Sequence, residues 1–339
     1  MKGSTWAAAV IGLSLAVFVA GISGVTLCLA EEISDTNDTV SKAFNLRMDG
    51  HTDAARNLLE KSIESGTGGG EEMYELARLQ FYLYDFEGAK KSAVSALMKE
   101  SDNARYYSFA ALAFSYNAVT LSKKPETRSK VQDEIAGAVR MQEKAVDLDP
   151  ANTDYRLRLV ELYRSAGNET NAKAQAQILA ESDPVYGAVA QLRLQGSKKS
   201  RKRLDVLRTL LPEYDTNALL HETLFHEYLR AGNTESGLEH LHRAVKLDPS
   251  RVVLFLRLGR HNIRKPDIGL AEKGITLFLE FKPEQPAPLR AFAVNSLAIV
   301  KRMQGEKNTS EKLRSEARKI DSHCWTTFMP PPRELFQKP

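Results

Sequence analysis

Cysteine is scarce in this 339-residue chain, which contains only Cys28 and Cys324. Cys28 lies in an N-terminal segment that signal-peptide cleavage would remove, so a processed chain would keep one thiol and form no internal disulfide. There is no Cys-x-x-Cys pair, which excludes the zinc and redox motifs built on that spacing. We therefore expect a fold that is stabilised by packing alone.

Motifs of enzyme active sites are also missing. The chain has no Gly-x-Ser-x-Gly sequence, and its glycine-rich stretch at 66–70 lacks the Gly-Lys-Ser/Thr ending of a phosphate-binding loop. His221 and His226 are five residues apart, so on a helix they would point about 140° apart and could not bind one metal ion. His240 and His242 are two residues apart, so on a helix they too would point to different faces. The sequence thus predicts no catalytic residue, no metal site and no cofactor.

Neither sign of charge is in large excess. The net charge is +4, from 47 basic and 43 acidic residues, so the composition gives no reason to expect a nucleic-acid partner. With 42% hydrophobic and 27% charged residues, the chain is typical of globular proteins. Five of the six residues at 198–203 are basic. This run fits either a contact with phosphate, acidic lipid or an acidic protein, or the solvated start of a helix.

Charged residues are absent from the 25-residue run at 6–30, which Lys2 precedes and Glu31 follows. Such a run matches either a cleaved signal peptide, with 28–30 as the cleavage site, or a transmembrane anchor, which needs about 20 apolar residues. A lipoprotein signal ranks third because the residues before Cys28 are not small. The flanking charges orient the remainder outward. We therefore expect an exported chain (periplasmic, extracellular or lumenal), either released or anchored by residues 6–30.

Four prolines recur with a fixed spacing: Pro150 and Pro184 are 34 residues apart, and so are Pro249 and Pro283. Small and apolar residues recur at matching offsets before them. A period of about 34 residues is typical of stacked helix–turn–helix units. The sequence therefore predicts an all-α chain with sixteen helices in eight pairs between residues 38 and 320.

The unit at 153–184 illustrates which residues are expected to end and begin the helices of each pair. Its first helix is expected to end at Gly167, because glycine readily adopts the left-handed conformation that closes a helix. Asn168 then caps the second helix. Pro184 is expected to stop that second helix, since proline cannot continue one.

These residues resemble the consensus of the tetratricopeptide repeat (TPR) family, in which Leu, Gly, Tyr, Ala and Pro occupy set positions over about 34 residues. Three copies match well, and two copies nearer the N terminus are in phase with them. The matching residues are Leu159, Tyr163, Gly167, Ala172 and Pro184; Leu224, Tyr228, Gly232, Ala244 and Pro249; and Phe255, Leu258, Gly259, Ala271 and Pro283. The resemblance implies a right-handed α-solenoid of about eight repeats over residues 31–320.

Three segments depart from the family's pattern. An insertion at about 117–132 lengthens the third repeat, and the fifth repeat, at about 185–212, is degenerate. Residues 321–339 form a tail rich in proline and aromatic side chains. Insertions in repeat arrays often map to the binding face. The tail either folds back over the last repeat or docks on a partner.

The resemblance also implies a non-enzymatic scaffold or adaptor that binds an extended protein or peptide segment along the first helices of its repeats. No nucleic acid, no small-molecule substrate and no membrane contact beyond the N-terminal segment is expected. The family's concave surface maps here to Tyr74, Arg78, Tyr82, Tyr116, His226, Arg230, Arg257, Arg260 and Arg264. Two alternatives remain open: the aromatic side chains pack between repeats, or the chain is a fixed structural or assembly subunit of a larger membrane or envelope complex.

Overall fold

The computed structural model describes residues 38–196, 200–264, 267–281, 285–324 and 333–336. The predicted signal peptide or anchor at 1–30 lies outside the described residues. Within the described ranges the chain is all-helical, with sixteen α-helices and no strand. None of these helices is both long enough and apolar enough to cross a bilayer.

In chain order the helices are α1 (Asp38–Met48), α2 (Thr52–Glu64), α3 (Gly70–Tyr82), α4 (Phe86–Lys99), α5 (Ala104–Ser122), α6 (Val131–Leu148), α7 (Thr153–Ser165), α8 (Glu169–Ser182), α9 (Pro184–Leu194), α10 (Ser200–Tyr214), α11 (Ala218–Arg230), α12 (Thr234–Leu247), α13 (Val253–Arg264), α14 (Ile268–Leu279), α15 (Ala287–Met303) and α16 (Lys307–Ile320). Short 3-10 helices cover Pro125–Lys130, Pro249–Val252 and Arg333–Phe336. Successive helices form eight pairs, so the predicted all-α array is confirmed.

The described residues fall into two compact units. The central unit, residues 100–249, contains α5–α12. The terminal unit combines α1–α4 with α13–α16 and the 3-10 helix Arg333–Phe336. It is therefore built from both ends of the described chain, a feature that the repeat pattern did not predict.

Turn chemistry within the pairs follows the sequence prediction. Gly167 has a φ of +76° and Gly232 a φ of +80°, the left-handed conformation that glycine adopts without steric cost. The next residue in each case is an asparagine that caps the second helix. The Asn168 side chain accepts a hydrogen bond from the N–H of Asn171, and Asn233 caps α12 in the same way.

The proline interpretation was incomplete. Helix α8 ends at Ser182, just before Pro184 as predicted, but Pro184 is also the first residue of α9, and Asp183 caps that helix by accepting a 2.8 Å hydrogen bond from the N–H of Val185. Proline is tolerated at this position because the first turn of a helix has no intrahelical acceptor for its N–H. Pro212 lies inside α10, two residues before the helix ends at Tyr214. Pro283 lies outside the described residues.

The fifth pair is the irregular one. Helix α9 packs extensively on α8 but only slightly on α10. A Cβ atom placed on Gly187 of α9 would lie 2.3 Å from the Cα atom of Ala180, so these two helices are in direct backbone contact. The residues at 117–132 lengthen the third pair: α5 runs to Ser122, and the 3-10 helix Pro125–Lys130 follows with no buried residue.

Glycines also allow α13 and α14 to approach closely in the terminal unit. A Cβ atom on Gly274 would lie 2.8 Å from both the Phe255 carbonyl oxygen and the Gly259 nitrogen. Both neighbours are backbone atoms, which cannot rotate away as a side chain would. This contact therefore requires a residue without a side chain.

We predict that Gly274→Ala lowers the free energy of unfolding by about 1–3 kcal/mol, because the added methyl group forces the two backbones apart. Gly269→Ala in the same helix is the matched control. Its Cβ atom would meet only the Asp267 carboxylate, 3.9 Å away, and alanine favours helix. Urea unfolding followed by circular dichroism measures both; equal effects of the two substitutions would contradict the packing argument.

Candidate functional site

The nine predicted partner-binding residues are divided between the two units. Those on α3 and α13 belong to the terminal unit, and those on α5 and α11 belong to the central unit. The side chain of Arg264 lies outside the described residues. The remaining eight differ sharply in exposure, and this difference decides which of them a partner can reach.

On α3, Arg78 is part of a buried charged cluster that holds α1 against α3. The Glu75 carboxylate accepts hydrogen bonds from Arg47 of α1, at 2.9 and 2.7 Å, and from Arg78, at 2.7 Å. All three side chains are at most 1% exposed. The Arg78 guanidinium also lies 5.5 Å from the Phe44 ring and 5.6 Å from the Tyr74 ring. Burial lowers the pKa of Arg47, and the Glu75 carboxylate opposes that shift.

Tyr82, the last residue of α3, contacts the other end of the chain. Its hydroxyl donates a hydrogen bond to the carboxylate of Asp321, just after α16, and both side chains are buried. Burial raises the pKa of Tyr82, and Asp321 adds to the shift. Burial raises the pKa of Asp321 as well, although the hydrogen bond from Tyr82 opposes this.

Two further contacts lie beside this hydrogen bond. The His323 imidazole lies 3.0 Å from the Asp53 carboxylate. Gly50 follows α1 with a φ of +87°, and a Cβ atom there would lie 2.2 Å from the Ile320 carbonyl oxygen. We call these three contacts the terminal closure: Tyr82 with Asp321, Asp53 with His323, and Gly50 with Ile320.

The arginines of α13 are also buried. Arg257 is 7% exposed and Arg260 is 2% exposed. The Arg260 guanidinium lies 5.3 Å from the centre of the Phe292 ring of α15, and its Nη1 donates to the Ser296 hydroxyl at 3.4 Å. Arg260 therefore joins α13 to α15 within the terminal unit.

Six of the predicted residues are thus removed from the accessible surface in this structure: Tyr74, Arg78, Tyr82, Tyr116, Arg257 and Arg260. The prediction that they present an accessible lane is not supported. Helix packing is the physical reason, because large aromatic and guanidinium groups cover much area at the contacts between helices. For the tyrosines this agrees with the alternative that aromatic side chains pack between repeats.

Arg230 of α11 remains accessible, with its side chain 40% exposed, whereas His226 is 25% exposed and its Nε2 atom is buried. They lie one turn apart on the first helix of the sixth pair. Arg230 pairs with Glu227, which is only 1% exposed. Glu227 is also held by Arg203, whose Nε and Nη2 atoms each donate to it at 2.8 Å. Arg203 belongs to the basic run at 198–203, so this member of the run is a buried structural residue.

Sequence reasoning missed a histidine pair in the same helix pair. The Nδ1 atoms of His221 and His240 are 2.8 Å apart, and the His221 Nε2 lies 2.8 Å from the Asp215 carbonyl oxygen. The His240 ring stacks on Tyr228 with a centroid distance of 5.3 Å. Burial and the adjacent His221 lower the pKa of His240 to about 4. Two histidines that are 19 residues apart form no recognisable sequence motif, so this contact could not be predicted from the sequence.

We predict that this pair makes stability depend on pH. Since the folded-state pKa of His240 is about 4, below the ordinary 6.5, the unfolded chain binds the proton more tightly. The contribution is complete above pH 6.5 and is lost as the pH falls toward 4. Wild type should lose about 1–2 kcal/mol more than His240→Gln between pH 7.5 and 5, measured by urea unfolding. Parallel pH profiles for the two proteins would contradict this assignment.

No ligand site is assigned from cavities or metal ligands. Within the described residues, no three His, Cys, Asp or Glu side chains converge as a metal site. A cavity of about 180 Å³ in the terminal unit is lined in part by Phe278, Phe281, Arg290 and Glu316. It is smaller than the roughly 300–1,000 Å³ typical of ligand pockets.

No protein-family model and no curated protein matches the chain. Among solved structures, TTC0263, a TPR protein from Thermus thermophilus, is 16% identical over 72% of this chain and 98% of its own, with a TM-score of 0.40. A tetratricopeptide repeat protein from Parabacteroides merdae is 13% identical over 83% of this chain and 98% of its own, with a TM-score of 0.45. Human IFIT1, determined with PPP-AAAA, is 16% identical over 84% of each chain, with a TM-score of 0.39. Because these identities and TM-scores are low, we assign the all-α fold from the chain's own helix pairs.

Proposed function

We propose that this chain is a non-enzymatic scaffold that binds a protein segment at the C-terminal end of α11, through Arg230, the exposed last residue of that helix, with His226 one turn before it. The observation that carries this proposal is their exposure, since six of the other predicted binding residues are buried. The repeat pattern supports the proposal, because stacked helix pairs offer a preformed surface that needs little rearrangement to bind.

Electrostatics at Arg230 favours an acidic partner. One carboxylate, Glu227, is shared by two guanidinium groups, those of Arg203 and Arg230. The cluster therefore keeps one net positive charge, and Arg230 is its accessible end. Glu227 also holds the Arg230 side chain in place, which lowers the entropy lost when a partner binds. An acidic side chain in an extended segment is the group that this arrangement suits.

The alternative of a fixed assembly subunit assigns permanent partner contacts to the tail and to the insertion. The tail's 3-10 helix Arg333–Phe336 instead contacts α3, and Leu335 is fully buried there. This part of the tail packs against a helix of the same chain, so we favour the scaffold over the assembly subunit. Export remains part of the proposal, supported by the uncharged run at 6–30.

We predict that Arg230→Gln weakens partner binding about tenfold or more, because it removes an accessible charged anchor. The measurement is quantitative affinity capture from the native cell with the full chain, followed by titration of the captured partner. Lys246→Gln on α12 is the matched control, since it removes one exposed charge from the second helix of the same pair.

A partner that is lost with Arg230→Gln and kept with Lys246→Gln would support the α11 surface. Equal recovery with both variants would contradict it, while leaving the fold unaffected. Turnover of a substrate by the purified chain would contradict the non-enzymatic assignment separately.

A further inference from the structure

The last helix of the array, α16, presents an unusual outward face. Its only buried residues are Ser310 and Ala317, which are seven residues apart and so lie on one side of the helix. Leu313 and Ile320 are partly buried and pack with Ala317 and Cys324. The opposite side faces solvent along the whole helix, over about 20 Å.

That outward face is basic. Helix α16 contains five basic and two acidic residues, a net charge of +3 in a chain whose total is +4. The basic residues are Lys307, Lys312, Arg314, Arg318 and Lys319, and all but the partly buried Arg314 are exposed. None of the five belongs to an ion pair within the described part of the chain. By contrast, Lys301 of the preceding helix pairs with Glu272 at 2.8 Å and Glu306 at 3.1 Å.

The same face offers no apolar anchor. Its other exposed residues are polar or acidic, among them Asn308, Glu311 and Ser315. Protein interfaces usually depend on buried aromatic or apolar anchors at their centre. Adsorption to an anionic bilayer needs none, since each Lys or Arg near the surface strengthens it about fivefold. A face that carries four exposed basic residues against two exposed glutamates, Glu311 and Glu316, and no apolar side chain is therefore better suited to lipid headgroups than to a protein groove.

We propose that the outward face of α16 is a docking surface for a phospholipid bilayer with anionic headgroups. The four exposed basic residues, Lys307, Lys312, Arg318 and Lys319, make the contact. This contact is separate from the α11 surface and does not depend on whether residues 6–30 form a cleaved signal peptide or an anchor. Because it is electrostatic, it weakens as ionic strength rises.

The first test is partitioning of the full chain onto vesicles of phosphatidylcholine alone and onto vesicles with about 30% phosphatidylserine. An anchor formed by residues 6–30 would bind both kinds of vesicle, so the quantity compared is the increase in binding that phosphatidylserine causes. We expect a gain of about tenfold or more that is lost when Lys307, Lys312, Arg318 and Lys319 are all changed to Gln. The matched control changes four exposed lysines on other elements to Gln: Lys61, Lys123, Lys144 and Lys246.

Circular dichroism checks that both variants remain helical. No gain for wild type, or an equal loss of gain in both variants, would overturn the proposal.

A second measurement uses only the wild-type protein and does not depend on how a variant folds. Lysine acetylation is read by mass spectrometry in the presence of either vesicle. We expect phosphatidylserine vesicles to protect Lys312 and Lys319 at least about threefold, and to leave Lys144 and Lys246 labelled as before. Equal labelling on both vesicles would overturn the proposal. Protection by poly-glutamate or duplex DNA but not by the vesicles would also overturn it, in favour of an acidic polypeptide or a nucleic acid.

Discussion

The hydrogen bond from Tyr82 to Asp321 joins residues 239 positions apart and fixes how the terminal unit is built. An array of helix pairs normally has two end surfaces, each with one side of a pair left unpacked. Here the first and last pairs contact each other through the terminal closure. The packing of α1–α4 therefore depends on residues near the far end of the chain, as Leu335 against α3 also shows.

This constraint explains why arginine and tyrosine are buried in the terminal unit. Removing a guanidinium group from water is costly unless an opposite charge compensates it, and the Glu75 carboxylate accepts hydrogen bonds from both Arg47 and Arg78. Removing one partner from such a cluster leaves an uncompensated buried charge. Side chains that take part in such a buried cluster cannot contact a binding partner. Arg230 of α11 and the basic residues of α16, by contrast, are accessible.

Local features of the fold could be predicted from the sequence, because they depend on neighbouring residues. The helix pairs follow from apolar periodicity, and the turns at Gly167 and Gly232 from the conformational freedom of glycine. Pro184 was predicted only as the end of α8, whereas it also begins α9, since proline is tolerated in the first turn of a helix. Contacts between distant residues could not be predicted. Nothing near Tyr82 indicates Asp321, and nothing near His221 indicates His240. Exposure of the α3 and α13 side chains was misjudged for the same reason.

The central claim is that α1–α3 and the residues after α16 stabilise each other, and hydrogen exchange by mass spectrometry tests it most directly. Tyr82→Phe removes one hydroxyl and leaves the buried Asp321 carboxylate without that donor, at a cost of about 1–3 kcal/mol. Amide exchange should then accelerate together in α1, α3 and α16, since they open as one unit. Tyr107→Phe, on α5 of the central unit, should leave those helices unchanged. Faster exchange confined to the residues around position 82, with α16 as protected as in wild type, would contradict the account.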